Sequence, residues 1–131
     1  MDKAILCIDD NQALLGVYKK MLQDRGYKVL LASNGWEGLE ILQQQPVDCV
    51  ILDYQMPGMN GPAVIRRMRR RKDPQPVILV SASNPPPDIL EKVEAFVEKN
   101  KLFSELLECV ESVMAGGRKR PTEPPLQQLA K

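Results

Sequence analysis

The chain has 131 residues, a length that suits a single domain with a substantial hydrophobic core. Its 18 Lys and Arg residues nearly balance 17 Asp and Glu residues, so the overall charge requires neither a nucleic acid nor an acidic surface as partner. Histidine is absent, which excludes a histidine base, a phosphohistidine or an imidazole metal ligand supplied by this chain.

Short apolar runs alternate with segments of helical period along most of the chain. The apolar runs predict five strands, at residues 4–9, 27–33, 47–53, 76–83 and 95–99. The periodic segments predict helices at residues 11–26, 34–45, 61–72, 87–94 and 102–115. In the second helix the period places Trp36, Leu39 and Leu42 on one side. Because the strands are apolar on both faces, this alternation predicts a doubly wound α/β fold around a five-stranded parallel sheet.

The cysteines and the hydropathy pattern indicate the compartment. Cys7, Cys49 and Cys109 form no close pairs in the sequence, which argues against a disulfide framework and a zinc site. The acidic N-terminus lacks the apolar stretch of a signal peptide. No apolar run approaches the ~20 residues of a spanning helix. We therefore expect a cytoplasmic protein with no membrane association.

Polar side chains stand at the carboxyl ends of four of the five predicted strands. Asp9 and Asp10 end the first strand and Asp53 the third. Ser81 stands at the end of the fourth strand and Lys99 ends the fifth. Ligands of open α/β sheets bind at this edge, near the point where the strand order reverses. Each residue alone is an ordinary cap, turn or surface residue, whereas their coincidence at one edge indicates a shared site.

The residue types at this edge suit phosphoryl transfer. Clustered carboxylates raise each other's pKa unless a cation lies between them. Oxygen ligands favour Mg²⁺, and one of the acids can act as a nucleophile that forms an acyl phosphate. Lys99 and Mg²⁺ can neutralise charge on the phosphoryl oxygens, and the Ser81 hydroxyl can donate a hydrogen bond to one of them.

Together these motifs resemble the receiver domain of two-component response regulators. The match covers residues 3 to about 115 and rests on the acid pair Asp9–Asp10, the block "DYQMPGMNG" that begins at Asp53, the "SAS" after the fourth apolar run and the lysine of "FVEKN". The resemblance implies a flavodoxin-like sheet with strand order 2-1-3-4-5. It also implies a signalling switch rather than an enzyme acting on a separate substrate.

The resemblance further implies a role for each residue. Asp53 would accept a phosphoryl group from a histidine kinase or a histidine phosphotransfer protein, and lose it by slow autodephosphorylation. Ser81 and Lys99 would contact the phosphoryl group, and Ser81 would move together with an aromatic switch residue, Phe96. Mg²⁺ would have four ligands: Asp10, Asp53, the backbone carbonyl of Gln55 and, through water, Asp9.

Two features depart from the family pattern. The family usually has proline after the lysine, often with a cis bond, whereas Asn100 stands here and disfavours one. The segment between Ser81 and Lys99 is several residues shorter than usual, and prolines at 85–87 shorten helix four and move its start to about residue 87. Such domains usually signal through the face formed by helix four, strand five and helix five. Because both departures lie at this face, the sequence does not identify the output partner.

Two alternatives and one basic segment complete the sequence hypotheses. A degenerate receiver that acts as a phosphorylation-independent interaction module is compatible with Asn100 and the short helix four. A phosphatase or mutase that uses an aspartyl phosphate would typically place a second acid where Gln55 stands, which argues against this class of enzyme.

The run "RRMRRRK" at 66–72 is interpreted as a solvated helix end. Its positive charge interacts favourably with the helix dipole, and no direct nucleic-acid binding is expected.

The composition changes near residue 116. The segment "GGRKRPTEPPLQQLAK" is rich in Gly, Pro and charge. We therefore predict a receiver domain at residues 1–115 and a flexible C-terminal tail or linker at residues 116–131. A homodimer is compatible with a domain of this kind.

Overall fold

Five parallel strands lie between two layers of helices in the computed structural model, which describes residues 2–117. The strands are β1 (Ala4–Ile8), β2 (Lys28–Ala32), β3 (Cys49–Asp53), β4 (Val77–Ser81) and β5 (Ala95–Glu98). The helices are α1 (Gln12–Gln23), α2 (Gly35–Gln44), α3 (Gly61–Arg70), α4 (Pro87–Leu90) and α5 (Leu102–Met114). The sheet order β2-β1-β3-β4-β5 confirms the predicted α/β fold and strand order. The predicted tail beyond residue 117 lies outside the described residues.

The burial of the strand residues distinguishes the three central strands from the edge strand β2. Every residue of β1, β3 and β4 is buried, as expected of parallel strands covered by helices on both faces. β2 begins with the exposed Lys28 and lies at an edge of the sheet. None of the helices in residues 2–117 has the length and apolarity needed to cross a bilayer.

The core consists of two apolar layers, one on each face of the sheet. Successive strand residues point to opposite faces, so Ile5 and Cys7 join one layer and Leu6 and Ile8 the other. The first layer packs against α1 and α5 through Leu15, Tyr18, Leu22, Leu106 and Val110. The second packs against α2 and α3 through Leu39, Leu42, Val64, Ile65 and Met68.

Asparagine caps begin three helices at the carboxyl edge of the sheet. Asn11, Asn34 and Asn60 precede α1, α2 and α3, and each side-chain oxygen accepts a hydrogen bond from a backbone N–H three residues later, at 2.8–3.1 Å. These bonds satisfy N–H groups that have no partner within the helix. The caps therefore fix the loops that follow β1, β2 and β3, and the first and third of these loops border the acids.

The structure has the expected short fourth helix. α4 has four residues and begins at Pro87, where the sequence predicted its start. Ile89 and Val93 are buried in the same layer as α2 and α3, and they anchor the connection between β4 and β5. No cis peptide bond occurs among residues 2–117, in agreement with the expectation for Asn100.

Three details differ from the sequence predictions. β5 ends at Glu98, so Lys99 opens a 3₁₀ turn (Lys99–Lys101) instead of ending the strand. Trp36 is 56% exposed and does not share the burial of Leu39 and Leu42, because it lies in the first turn of α2. The basic run is solvated only in part, since Arg69 and Arg71 have protein partners.

Candidate functional site

Three carboxylates converge where β1 and β3 end side by side. Asp9 and Asp10 follow β1, and Asp53 is the last residue of β3, its neighbour in the sheet. Each of the three offers a carboxylate oxygen, and these oxygens lie within 4.8 Å of one another. Asp9 and Asp53 are buried, whereas Asp10 is exposed. One cation could therefore contact all three residues from the solvent side.

Lys99 brings a positive charge to the buried acid. Its Nζ lies 3.1 Å from Oδ1 of Asp53. The Asp53 side chain is 2% exposed and that of Lys99 is 36% exposed, so the ammonium reaches the carboxylate from the surface. Because three carboxylates face one ammonium, the described residues leave the site with excess negative charge.

The pKa values reflect this imbalance. Burial, followed by repulsion from Asp9, raises the pKa of Asp53 from 3.8 to about 6, although Lys99 acts in the opposite direction. Burial also raises the pKa of Asp9, against the opposing effects of the Asn11 N–H and of Lys99. That N–H donates to Asp9 Oδ1 at 2.9 Å and holds the carboxylate in place. A cation bound among the acids would favour their ionised forms.

Buried oxygens without partners show that the site suits a metal ion. Oδ2 of Asp9 and Oδ2 of Asp53 are buried and accept no hydrogen bond from residues 2–117. Oδ1 of Asp53 is also buried, and it forms an ion pair with the ammonium of Lys99 at 3.1 Å. Buried polar atoms normally have partners, and a set made only of oxygen donors is the kind that Mg²⁺ prefers. The residues present therefore fit a hydrated divalent cation.

Ser81 ends β4, the strand that lies beside β3. Asp53 is paired with Val80, the residue before Ser81. The Ser81 side chain is buried, and its Oγ accepts a hydrogen bond from the Ser83 N–H at 3.2 Å. Because this contact uses a lone pair of the oxygen, the hydroxyl hydrogen can still be donated.

The other two predicted residues lie in a surface loop and in the apolar core. Gln55 is exposed in the loop between β3 and α3 and lines a surface groove of about 470 Å³ together with Tyr54 and Pro57. Phe96 is 2% exposed on β5, inside the apolar layer beneath α2 and α3. The roles of the Gln55 carbonyl and of Phe96 remain predictions.

A close backbone approach behind Asp53 was not predicted from the sequence. The Gly61 N–H donates to the Tyr54 carbonyl at 2.9 Å, which closes the loop after β3. A Cβ at Gly61 would lie 2.7 Å from the Asp53 carbonyl oxygen, so a larger residue would displace the end of the strand. The final glycine of "DYQMPGMNG" was the available signal, but the sequence alone did not show which glycine meets backbone.

Comparisons with known proteins agree with this geometry. Residues 5–111 match the family model of the response regulator receiver domain. The chain is 39% identical over 83 residues to the sensor histidine kinase GacS of Pseudomonas protegens, which covers 60% of this chain and 9% of that protein. It is 35% identical over 92 residues to the transcriptional regulatory protein AfsQ1 of Streptomyces coelicolor, which covers 70% of this chain and 40% of that protein.

A solved structure gives the same result. The response regulator protein TrrA of Thermotoga maritima, in complex with Mg(2+)-BeF, superposes with a TM-score of 0.75 at 34% identity, over 83% of this chain and 96% of that one. The chain therefore belongs to the response regulator receiver family of two-component systems, which confirms the resemblance seen in the sequence. It spans less than half the length of GacS and of AfsQ1.

Proposed function

We propose that this receiver domain is a phosphoacceptor switch in which Asp53 takes a phosphoryl group from a histidine kinase or a histidine phosphotransfer protein. One observation carries the proposal: the buried Asp53 carboxylate shares a 4.8 Å cluster with Asp9 and Asp10 and lies 3.1 Å from the Lys99 ammonium. These 131 residues contain no histidine, so a phosphohistidine donor lies outside them.

Mg²⁺ is the cofactor that these residues suit. We assign as its ligands Asp10, Asp53, the backbone carbonyl of Gln55 and, through water, Asp9. When bound, Mg²⁺ supplies positive charge that offsets the charge on the phosphoryl oxygens. The complex of TrrA with Mg(2+)-BeF supports this assignment, because that protein is 34% identical to this chain.

The side chains of this protein would act on the phosphoryl group as follows. An ionised Asp53 oxygen attacks the phosphorus atom, and the N–P bond of the donor breaks with its electron pair left on the donor nitrogen. Lys99, already in contact with Asp53, pairs with a phosphoryl oxygen. The Ser81 hydroxyl donates to another phosphoryl oxygen. Slow hydrolysis of the resulting acyl phosphate resets the switch, so the domain signals rather than turning over a separate substrate.

The same proposal includes the output of the switch. Movement of Ser81 toward the phosphoryl group, accompanied by Phe96, would bias the domain between two conformations. We propose that residues 1–115 form the signalling unit and that residues 116–131 form a tail or linker. The kinase, the output partner, a homodimer and the cytoplasmic location remain predictions.

Phosphorylation by a small-molecule donor tests the proposal directly. Wild-type protein incubated with phosphoramidate and Mg²⁺ should gain the mass of one phosphoryl group, measured by intact mass spectrometry. Asp53→Asn should gain none, and EDTA should prevent labelling of the wild type. Asp24→Asn is the matched control, since within residues 2–117 this exposed carboxylate pairs with Lys20 alone, and it should label as the wild type does. An unlabelled wild type, or equal labelling of Asp53→Asn, would favour the phosphorylation-independent interaction module instead.

A further inference from the structure

A groove of about 310 Å³ runs between α2 and α3, apart from the acidic cluster. Trp36, Leu39 and Glu40 line it from α2, and Arg67, Arg70 and Arg71 line it from α3. The groove therefore combines an apolar floor with a basic wall. The proposed phosphoacceptor function uses none of these side chains.

Positive charge is concentrated on the α3 side of this groove. Residues 61–72 contain six of the chain's 18 Lys and Arg residues and none of its 17 Asp and Glu residues. The remainder of the chain thus has 12 cations against 17 acids. A nearly neutral protein presents one strongly basic helix, so electrostatic attraction of an acidic partner would be directed to this surface.

The structure separates the arginines that stabilise the fold from those that face the groove unpaired. Arg69 pairs with Glu94 and donates to three backbone carbonyls. Arg71 lines the groove but already pairs with Asp73 at 2.6 Å. Arg67 and Arg70 are exposed, and within residues 2–117 their guanidinium groups have no hydrogen-bond or ion-pair partner. These two guanidinium groups are therefore available for carboxylates of another molecule.

Trp36 supplies an apolar surface beside these arginines. It is the only tryptophan of the chain and is 56% exposed, although most large apolar residues are buried. Its ring packs over Gly58, where a Cβ would lie 2.9 Å from two of its carbon atoms. Gly58 also has a φ of +79°, which glycine adopts without strain. The ring is thus supported from below while one of its surfaces stays open to a ligand.

We propose that the α2–α3 groove is a docking site for an acidic segment of a partner protein that inserts an apolar side chain against Trp36. Arg67 and Arg70 stand one helical turn apart and match carboxylates on successive turns or alternate residues of such a segment. Leu39 and Trp36 provide the apolar contact that gives the segment its register.

Charge argues against other occupants. Two free arginines with one aromatic ring form a small footprint for a nucleic acid. The chain's own segment 118–131 has four cations and one acid, so it does not complement the basic wall. Docking of a second copy groove to groove would bring two basic walls together, and their like charges would repel.

A fluorescein-labelled peptide with glutamates on either side of a pair of leucines provides the test. Fluorescence anisotropy measures its affinity for the full chain at low salt, and the emission of Trp36 reports contact of the leucines with the ring. Matched probes are a peptide of the same length with glutamates only and a single-stranded oligothymidine. Arg67→Glu and Arg70→Glu are compared with Arg66→Glu, an exposed residue of the same helix that does not line the groove.

The expected result is saturable binding of the leucine-containing peptide with a blue shift of Trp36 emission. Arg67→Glu and Arg70→Glu should each weaken the affinity for this peptide by roughly tenfold, and Arg66→Glu by less than about twofold. All three variants should still accept a phosphoryl group from phosphoramidate. Three results would overturn the proposal: no binding, an equal loss in Arg66→Glu, or tighter binding of the oligothymidine. Concentration-dependent self-association lost in Arg67→Glu would assign the groove to a second copy and refute the partner.

Discussion

Replacing Asp53 with asparagine should stabilise the metal-free protein, although it removes the contact with Lys99. Asparagine has nearly the same shape as ionised aspartate but carries no charge. The cost of burying the charge and of placing it near Asp9 disappears, and that cost exceeds the attraction to Lys99, because the pKa of Asp53 is raised rather than lowered.

The magnitude follows from the pKa. A rise from 3.8 to about 6, at about 1.4 kcal/mol per unit, means that ionising Asp53 costs about 3 kcal/mol more in the folded state than in the unfolded chain. Asp10 is exposed to water, which screens its repulsion of Asp53 and reduces this cost. We therefore expect Asp53→Asn to raise the free energy of unfolding by about 1–3 kcal/mol at pH 7.

The pH dependence has a definite sign. Because the folded state holds this proton more tightly than the unfolded chain, the contribution of Asp53 to stability is greatest below pH 3.8 and is lost as the pH rises through about 6. The advantage of Asp53→Asn should therefore be large at pH 7 and small at pH 3.5. Mg²⁺ should reverse this stability advantage at pH 7, since a cation bound to the folded wild type stabilises the folded state.

Urea unfolding followed by circular dichroism measures these free energies, first with EDTA and then with Mg²⁺. The midpoint should shift while the denaturant slope stays constant. Asp24→Asn is the control and should remain within about 0.5 kcal/mol of the wild type. If Asp53→Asn is less stable than the wild type in EDTA at pH 7, the Lys99 contact outweighs the burial cost and the reasoning is wrong.

Three further outcomes are expected. Gly61→Ala should lower the free energy of unfolding by about 2–3 kcal/mol in urea titrations, because the added Cβ meets the carbonyl of Asp53. Gly16→Ala should raise it by about 0.5–1 kcal/mol, because the space around the added Cβ is open. Equal effects of the two substitutions would contradict this reasoning. Arg69→Ala should lower the free energy of unfolding by about 2–4 kcal/mol in the same assay, and Arg66→Ala by less than about 0.5 kcal/mol. Arg69 bonds to backbone carbonyls and to Glu94, whereas Arg66 has no such bond within residues 2–117; similar losses would refute the distinction. The fluorescence emission of Trp36 should change when Mg²⁺ and beryllium fluoride are added, because its ring rests on the loop after β3. Asp53→Asn should abolish this change. An unaltered wild-type spectrum would show that the loop stays fixed.

The sheet could be predicted because burial on both faces imposes a simple pattern. β1, β3 and β4 are buried at every residue, and their sequences are accordingly continuous apolar runs that end in a polar group. Parallel strands place their carboxyl ends at one edge, so the sequence predicted a shared edge for Asp9, Asp10 and Asp53. Their closeness also depends on β1 lying beside β3, which the resemblance to receiver domains implied and the structure shows.

What the sequence could not predict depends on tertiary contacts. Six cations in residues 66–72 look equivalent in the sequence, yet only Arg69 reaches Glu94 and the backbone beside it. Helical period places Trp36 with Leu39, since residues three apart share a face, but the indole lies against Gly58 and is 56% exposed. Each outcome is decided by a partner distant in the sequence.

The short fourth helix connects these findings. Phe96, Ile89 and Val93 pack in one apolar layer with Leu39 of α2 and Met68 of α3. The connection between β4 and β5 therefore rests on the same core that supports the α2–α3 groove, and its three prolines restrict backbone rotation. If phosphorylation moves Ser81 and Phe96, this layer offers a packed path toward the groove. A phosphorylation-dependent change in peptide affinity would demonstrate the coupling, and equal affinities with and without beryllium fluoride would show that the two sites act independently.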